Sequence, residues 1–487
     1  MKVAVVGSGV SGLAATWLLN EYSDHEVHLY EADSRPGGHA NTVKFTPPGK
    51  KSDDGVYVDT GFIVFNPSTY PNFIKFLKMH TIKILPTEMT FSVSRDRGLF
   101  EWAGKNLMTI FCQPYRLIDP DMWRLIYDVL RFNACARSII TSDSDEEFSI
   151  GQYLDREGYS NSFKDNYLIP MTACIWSTPP DKCALDFPAK TLIQFMNNHH
   201  LLQITGKPSW LTLEGGRSVF DNELSIIYED TLAAGGATET YDHVIFACHS
   251  DTVLSILQAG EGMTADEQEI LNMFQWNRNE AVLHSDVNVI YLPLSIGLVV
   301  LELFDADMYV PIYTSYRNPF HYRTDGMNDL QHIPEAKYGP VLVTLNPPFE
   351  PREGTLAGRY RYDHPILDAQ AVRAQRLMHT IQRTRGLSYA GAYLRYGFHE
   401  DGFASGLDAA AHLIPRKSRM PFEFDLSVDR KPPSAWIAVV FFALFEGTGM
   451  RSVVGVVGTY VLSVIGWCFR FGGLGKPLAA EWKVTRE

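Results

Sequence analysis

Apolar residues fall along this chain in short runs of recognisable period. Lys2–Val6 is a β-branched run closed by Gly7 and predicts a buried strand. Val10–Tyr22 places Leu13, Ala14, Trp17 and Leu18 on one face and predicts a helix. Val27–Tyr30 predicts a second strand, with Glu31 at its end. Further on, Ile150–Glu157 reads as a helix behind the polar, acidic loop Thr141–Glu147. Tyr241–Ala247, with Asp242 ahead of an apolar run, reads as a later strand. Phe403–Ala410 reads as a helix whose start carries Glu400 and Asp401, where the helix dipole favours acids. Two uncharged runs close the pattern, Trp436–Phe445 and Val453–Phe469, separated by Glu446–Arg451. No internal repeat is evident.

Composition narrows the class. With 487 residues and 45% hydrophobic composition, the chain can bury a large core and exceeds one simple domain. Lys and Arg total 43 against 56 Asp and Glu, a net charge of −13 that argues against a nucleic-acid binder. The six cysteines include no C-x-x-C pair, which removes the common zinc and thioredoxin-like signatures and a disulfide scaffold. No metal site is assigned. The run Val3–Val6 has a strand's length, not that of a signal peptide's apolar region, so the N-terminus is expected to stay and fold.

The first strand, turn and helix carry chemistry. Gly7-Ser8-Gly9-Val10-Ser11-Gly12 is a G-x-G-x-x-G segment between strand and helix, with an acid, Glu31, 19 residues after Gly12. Gly7 permits the tight turn, Gly9 lets a pyrophosphate approach the backbone, and Gly12 lets helix and strand pack closely. The helix N-terminus offers N–H groups to phosphate, and Glu31 can accept from both hydroxyls of an adenosine ribose. FAD and NAD both satisfy this much. Arg35-Pro36-Gly37-Gly38 then adds a second glycine pair and a fixed cation.

That E-x-x-x-R-x-G-G extension resembles the flavin amine oxidase and phytoene desaturase superfamily, where it marks FAD. Other blocks are similar to an amine oxidase-like branch found, in bacteria, beside cyclopropane-fatty-acid synthases: Gly38–Val43, Val58–Asn66, Pro170–Ser177, Phe187–Ala189, Asn198–Leu202, Trp210 through Gly216, Arg278–His284, Val343–Pro347 and Gly391–Gly406. The resemblance covers residues 1 to about 410. It implies FAD contacts from Gly7, Gly9, Val10, Ser11, Gly12, Glu31, Ala32, Arg35, Gly37, Gly38, His39, Thr60, Gly61, Phe62, Val219, Asp401 and Gly402. It also implies that the helix begun near Glu400 points its N-terminus at the flavin pyrimidine. Trp176 and Tyr393 are candidates to line the substrate pocket. His399 and Tyr396 are candidates for catalysis, His399 because the adjacent Glu400 can tune an imidazole.

The chain departs from the superfamily in three places. No acid precedes Gly391; only Arg217–Thr240 fill the place of a helix and a strand; and Val289–Leu301 is an apolar run broken by Pro293 and Gly297. True divergence and a misjoined gene both account for the last two. The expected fold is α/β: a Rossmann-like FAD-binding domain (1–70, 205–285 and 385–416) interleaved with an α+β substrate domain (71–204 and 286–384), plus an apolar helical tail (417–487). The expected function is an FAD-dependent oxidoreductase that desaturates, saturates or isomerises an apolar lipid or isoprenoid chain. A flavin amine oxidase and a flavin-binding but defective product are the alternatives. The tail runs, 10 and 17 residues long and flanked by basic residues on both sides, suit a shallow hairpin or an in-plane helix pair on the cytoplasmic face of a membrane better than a single span; the alternative is a pair of helices packed on the protein's own surface, in the cytoplasm.

Overall fold

The computed structural model describes the chain except residues 96–99, 142–147, 178–184, 204–208, 215–238, 261, 288–311, 317–322, 348–349, 416–417, 427–428, 431, 434 and 472–487. Its strands, in chain order, are β1 Lys2–Val6, β2 Glu26–Tyr30, β3 Thr42–Phe45, β4 Val56–Asp59, β5 Ile84–Thr87, β6 Ser92–Arg95, β7 Phe100–Ala103, β8 Trp210–Leu213, β9 His243–Phe246, β10 Gln275–His284, β11 Ile312–Tyr316, β12 Arg323–Gly326, β13 Leu342–Leu345, β14 Leu356–Ile366 and β15 Leu387–Tyr389. The helices that matter below are α1 Val10–Tyr22, α2 Pro71–Met79, α3 Pro120–Cys135, α4 Ala189–Asn198, α5 His399–Ala411, α6 Trp436–Gly447 and α7 Met450–Phe471.

One sheet is parallel, in the order β15-β9-β1-β2. Val3 and Val5 of β1 are fully buried between the flanking layers, as a continuous apolar run requires. β2 pairs on one side of β1 (Val3 with Val27) and β9 on the other (Val3 with His243). Chain order therefore reverses across β1, and the loops after β1, β2, β9 and β15 gather at the carboxyl edge, where ligands of such sheets bind. α1 and α5 cross this edge in close contact. A Cβ at Gly406 would sit 2.0 Å from the Ser11 carbonyl oxygen, and one at Gly402 would sit 2.7 Å from Val10 Cγ1. Only glycines allow this spacing.

A second, seven-stranded sheet runs β14-β10-β13-β12-β11-β6-β7, antiparallel except where β6 meets β11. Helices α3 and α4 belong to the cluster of buried aromatic and aliphatic side chains beside it. The chain thus alternates between two sheets. The second FAD-binding segment, expected to extend through residue 285, ends sooner, because β10 pairs with β13 and β14 of the larger sheet. Expected and observed elements otherwise agree closely at α1 and β1, while α5 starts earlier, at His399, because Phe398 N donates to the Asp401 carboxylate and caps it there. The segment 217–240, apart from its last two residues, and the run Val289–Leu301 lie outside the described residues.

Several histidines are built into the interior uncharged. His284 accepts from Asp286 N at Nδ1 (3.1 Å) and pairs through Nε2 with Thr344 Oγ1 (2.7 Å), which fixes a neutral tautomer. Burial pulls its pKa down to about 4, that of His243 beside Ser388 to about 4, and that of His199 to about 3.

Two predictions follow from this packing. For each depressed imidazole, the unfolded chain binds a proton near pH 6.5 that the folded chain refuses. Stability is therefore full above about pH 6.5 and is lost as pH falls towards the folded values, by roughly 1–2 kcal/mol per histidine at about pH 5. Thermal melts should fall steeply between about pH 7 and about pH 5, and His284→Gln should flatten that slope; a melting temperature unchanged over this range would refute the assignment. Gly406→Val should drive its side chain into the Ser11 carbonyl, costing about 1–3 kcal/mol or preventing folding, as read by circular dichroism of the soluble yield.

Candidate dinucleotide and flavin-ring site

The loop after β1 is shaped by what each glycine meets. Gly7 holds φ +103° and its Cβ would lie 2.8 Å from the Ala247 oxygen; at Gly12 a Cβ would lie 1.8 Å from the Gly7 oxygen. Both are small because the protein itself fills the space. Gly9 differs: a Cβ there meets nothing within 4 Å. The open side of Gly9 sits at the N-terminus of α1, with free N–H groups and the positive dipole end beside it. This arrangement fits a diphosphate.

Neighbouring segments close around this loop. Glu31 accepts from Ser8 N, Ala32 N and Asp33 N, each at 2.8 Å, and from Ser8 Oγ, so it ties the loop after β1 to the end of β2. Gly37 N donates to Ser8 O (2.9 Å), and Gly38, at φ +57°, approaches Gly9 so closely that a Cβ would lie 3.2 Å from its Cα. Arg35 braces this turn through Nη2 to the Gly38 oxygen (2.8 Å). Ser11 is buried, its hydroxyl 3.5 Å from the Ala247 oxygen, so it joins α1 to β9.

Beyond this cradle lies a group of imidazoles. The His39 ring centroid is 4.9 Å from Tyr362 and 5.1 Å from His364. His399 stacks on Phe62 at 4.0 Å. Asn279 Nδ2 donates to His364 Nδ1 (2.9 Å), and His249 stacks on Trp276 at 3.8 Å. Desolvation, then the neighbouring histidines, pulls His39 well below its ordinary pKa; the same causes bring His399 to about 3. These four imidazole rings are half-buried. His399 Nε2 and the hydroxyl of buried Tyr393 have no hydrogen-bond partner among the described residues.

The sequence expectations divide at this point. Glu400 does not tune His399. Its carboxylate instead accepts from Asn72 N (2.9 Å), Asn72 Nδ2 (2.8 Å) and Phe73 N (3.0 Å), capping the start of α2, and burial pushes its pKa up to about 8. Burial and the neighbouring His364 pull the His399 pKa down to about 3, so the ring is neutral near pH 7 and the tuning by Glu400 expected of it is absent. Asp401 turns back onto Phe398 N (3.0 Å), and Gly402 abuts Val10, so both shape the junction of α5 and α1. Thr60 pairs with Tyr362 OH (2.6 Å), to which Asn41 Nδ2 also donates (2.9 Å). Gly61 and Phe62 pack on the His39 carbonyl, which accepts from Phe62 N (3.0 Å).

Trp176 and Tyr393 do not share a wall. Trp176 packs on Phe187 and Phe195 and donates to the Tyr396 carbonyl (3.0 Å), whereas Tyr393 packs on Phe274 and Trp276. Tyr396 is packed on Phe195, and its hydroxyl donates to Asp429 (3.1 Å). Val219 lies outside the described residues. Sequence reading missed His364, Tyr362, Asn279 and His249. A period of two was available for the first three: Tyr360, Tyr362 and His364 alternate along β14, and Asn277 and Asn279 along β10.

Comparison with known proteins agrees with this geometry. Residues 5–79 match the family described as NAD(P)-binding Rossmann-like domain. Among solved structures, reduced UDP-galactopyranose mutase superposes with a TM-score of 0.55 at 14% identity, covering 85% of this chain and 93% of that one. Cyclohexylamine oxidase from Brevibacterium oxydans IH-35A and the CLA-producing fatty acid isomerase from P. acnes each give a TM-score of 0.54 at 12% identity, covering 85% of this chain and 98% of theirs. The chain therefore has the fold of flavin amine oxidase-type FAD enzymes, with a Rossmann-like dinucleotide-binding domain interleaved with a second, mixed-sheet domain.

Proposed function

We propose that this chain is an FAD-dependent oxidoreductase acting on an apolar lipid or isoprenoid chain. The observation that carries the cofactor is Gly9: alone among the three motif glycines it faces open space, at the dipole end of α1. Gly9 and Gly38 would take the diphosphate and Glu31 the adenosine ribose, whose hydroxyls compete with Ser8 Oγ for the carboxylate. The start of α5, packed beside α1, directs a second positive dipole end towards the ring. Bound FAD supplies hydride transfer at N5.

The protein's share is binding, orientation and exclusion of water. His39 and His399, held neutral by burial, form with His364 a polar edge that can hold the ring system by hydrogen bonds. The flanking aromatic group, with Trp176, Phe187, Phe195 and Phe398, is uncharged and suits a hydrocarbon. The aromatic character of this group supports an apolar substrate. The structural neighbours include a fatty acid isomerase as well as amine oxidases.

The purified protein is expected to show a flavin spectrum. Gly9→Val should melt at the same temperature as the parent without added FAD, yet bind no flavin, because its side chain clashes only with the ligand. Glu31→Gln should weaken FAD by roughly ten- to a hundredfold through lost charge-assisted hydrogen bonds. A folded parent that stays colourless after FAD is added would overturn the cofactor assignment. In anaerobic mixing, long-chain acyl or isoprenoid compounds should bleach the flavin and primary amines should not. Rapid bleaching by a primary amine with aldehyde release would establish the amine oxidase alternative instead.

A further inference from the structure

The C-terminal helices are seated on the body in an unusual way. From Arg451 to Cys468, only Arg451, Gly458, Leu462 and Gly466 are shielded, at steps of 7, 4 and 4 residues. They form one narrow stripe along α7, and at its far end Ile118 lies against Gly466. The rest of the circumference is open: Val456 and Tyr460 are each 72% exposed, and Val453, Val457 and Trp467 are exposed as well. α6 repeats the pattern. Phe442 and Phe445 pack on Tyr127 of α3, while Trp436, Ile437, Phe441 and Leu444 face outward.

The turn between the two helices is anchored. Glu446 Oε1 accepts from Tyr127 OH (3.0 Å) and Arg451 Nη1 (2.8 Å) and pairs with Arg131 Nε (2.7 Å), while Arg451 Nη2 donates to the Gly158 oxygen (2.8 Å). The body beside the hairpin is apolar too: Leu107, Met108, Tyr115, Leu117 and Trp123 are exposed in the segment that ends in α3. This segment adjoins the hairpin where Ile118 lies against Gly466, and we read their exposed side chains together as one apolar face.

We propose that this face is an in-plane seat on a phospholipid bilayer, with α6 and α7 lying at the boundary of headgroups and acyl chains. Three features favour lipid over a second copy of the chain. No charged residue occurs from Val453 to Phe469, whereas a protein interface carries a polar rim and about one hydrogen bond per 100–200 Å². The open surface wraps most of α7 and is not confined to one side, which suits a surrounding fluid rather than one opposing face. Trp436, Tyr460 and Trp467 supply the ring-with-polar-tip side chains that settle at membrane interfaces. α7 is long enough by itself to cross: its apolar window of 19 residues has mean hydropathy 1.4. Its contacts with the body, Arg451 with the Gly158 carbonyl at one end and Gly466 with Ile118 at the other, favour the in-plane seat over that use. The seat does not depend on the substrate assignment, although it would let a membrane-dissolved chain reach the protein without crossing water.

The test is flotation of the full-length protein with vesicles of phosphatidylcholine and phosphatidylglycerol. The parent should float. A variant carrying Val453→Ser, Val457→Ser, Val461→Ser and Val464→Ser should lose at least about tenfold in partition, since each change removes outward apolar surface. A second variant, Leu107→Ser with Met108→Ser and Leu117→Ser, should weaken flotation several-fold; only an in-plane seat brings that body segment to the lipid. Both variants should keep the parent's melting temperature and flavin content, which separates loss of the seat from misfolding. A parent that stays unbound at all lipid concentrations overturns the proposal. So does a detergent-free dimer that the valine variant dissociates, which would make the occupant a second copy. Flotation unaffected by the Leu107 variant, with α7 reachable by protease from both sides of the vesicle, would replace the seat with a span.

Discussion

The close crossing of α1 and α5 is the constraint on which the rest of the site depends. Gly402 and Gly406 let α5 rest against Val10 and Ser11 of α1 at backbone contact, and Gly12 lets α1 rest against the turn at Gly7. Two helix N-termini are thereby brought to one edge of the parallel sheet, where unpaired N–H groups and positive dipole ends add. A side chain larger than hydrogen at any of these positions would separate the elements and disperse that potential. Gly9 belongs to the same loop but to a different logic, since the fold leaves the space beside it free.

Polar bookkeeping around this crossing explains why its acids are poor candidates for chemistry. Asp401 and Glu400 lie side by side at the start of α5, but one caps α5 and the other caps α2, so both are committed to helix ends. The imidazoles nearby are held neutral by burial and by one another. Such an environment leaves the redox chemistry to the cofactor and limits the protein to orientation and desolvation.

Interleaving of the two sheets has a mechanical consequence. Tyr362 of β14, in the larger sheet, is hydrogen-bonded to Thr60 and Asn41 of the segment that leaves the dinucleotide cradle. β14 therefore places His364, two residues on, against His39. The His39–His364 contact is thus held by a polar triad that joins the larger sheet to the ends of the separate β3–β4 pair.

Local pattern alone determined β1, α1, β2 and the loop between them, because a strand, a glycine turn and an amphipathic helix are specified by residues within thirty positions of one another. It also determined that the tail would form two apolar helices, since period and charge are local properties. Adjacency in sequence misled where the decision was tertiary. His399 and Glu400 are neighbours in the chain, yet a helix turns their side chains apart, and Glu400 finds the bare N-terminus of α2 more than three hundred residues away. His364, His249 and Asn279 carry no motif. His364 and Asn279 meet because β10 and β14 pair, and His249, in the turn after β9, joins them by stacking on Trp276 of β10. Which side of α7 faces the body was likewise undecidable from its uniform apolar pattern. The tertiary contacts set it: Arg451 reaches Glu446 and the Gly158 carbonyl at one end, and Ile118 lies against Gly466 at the other.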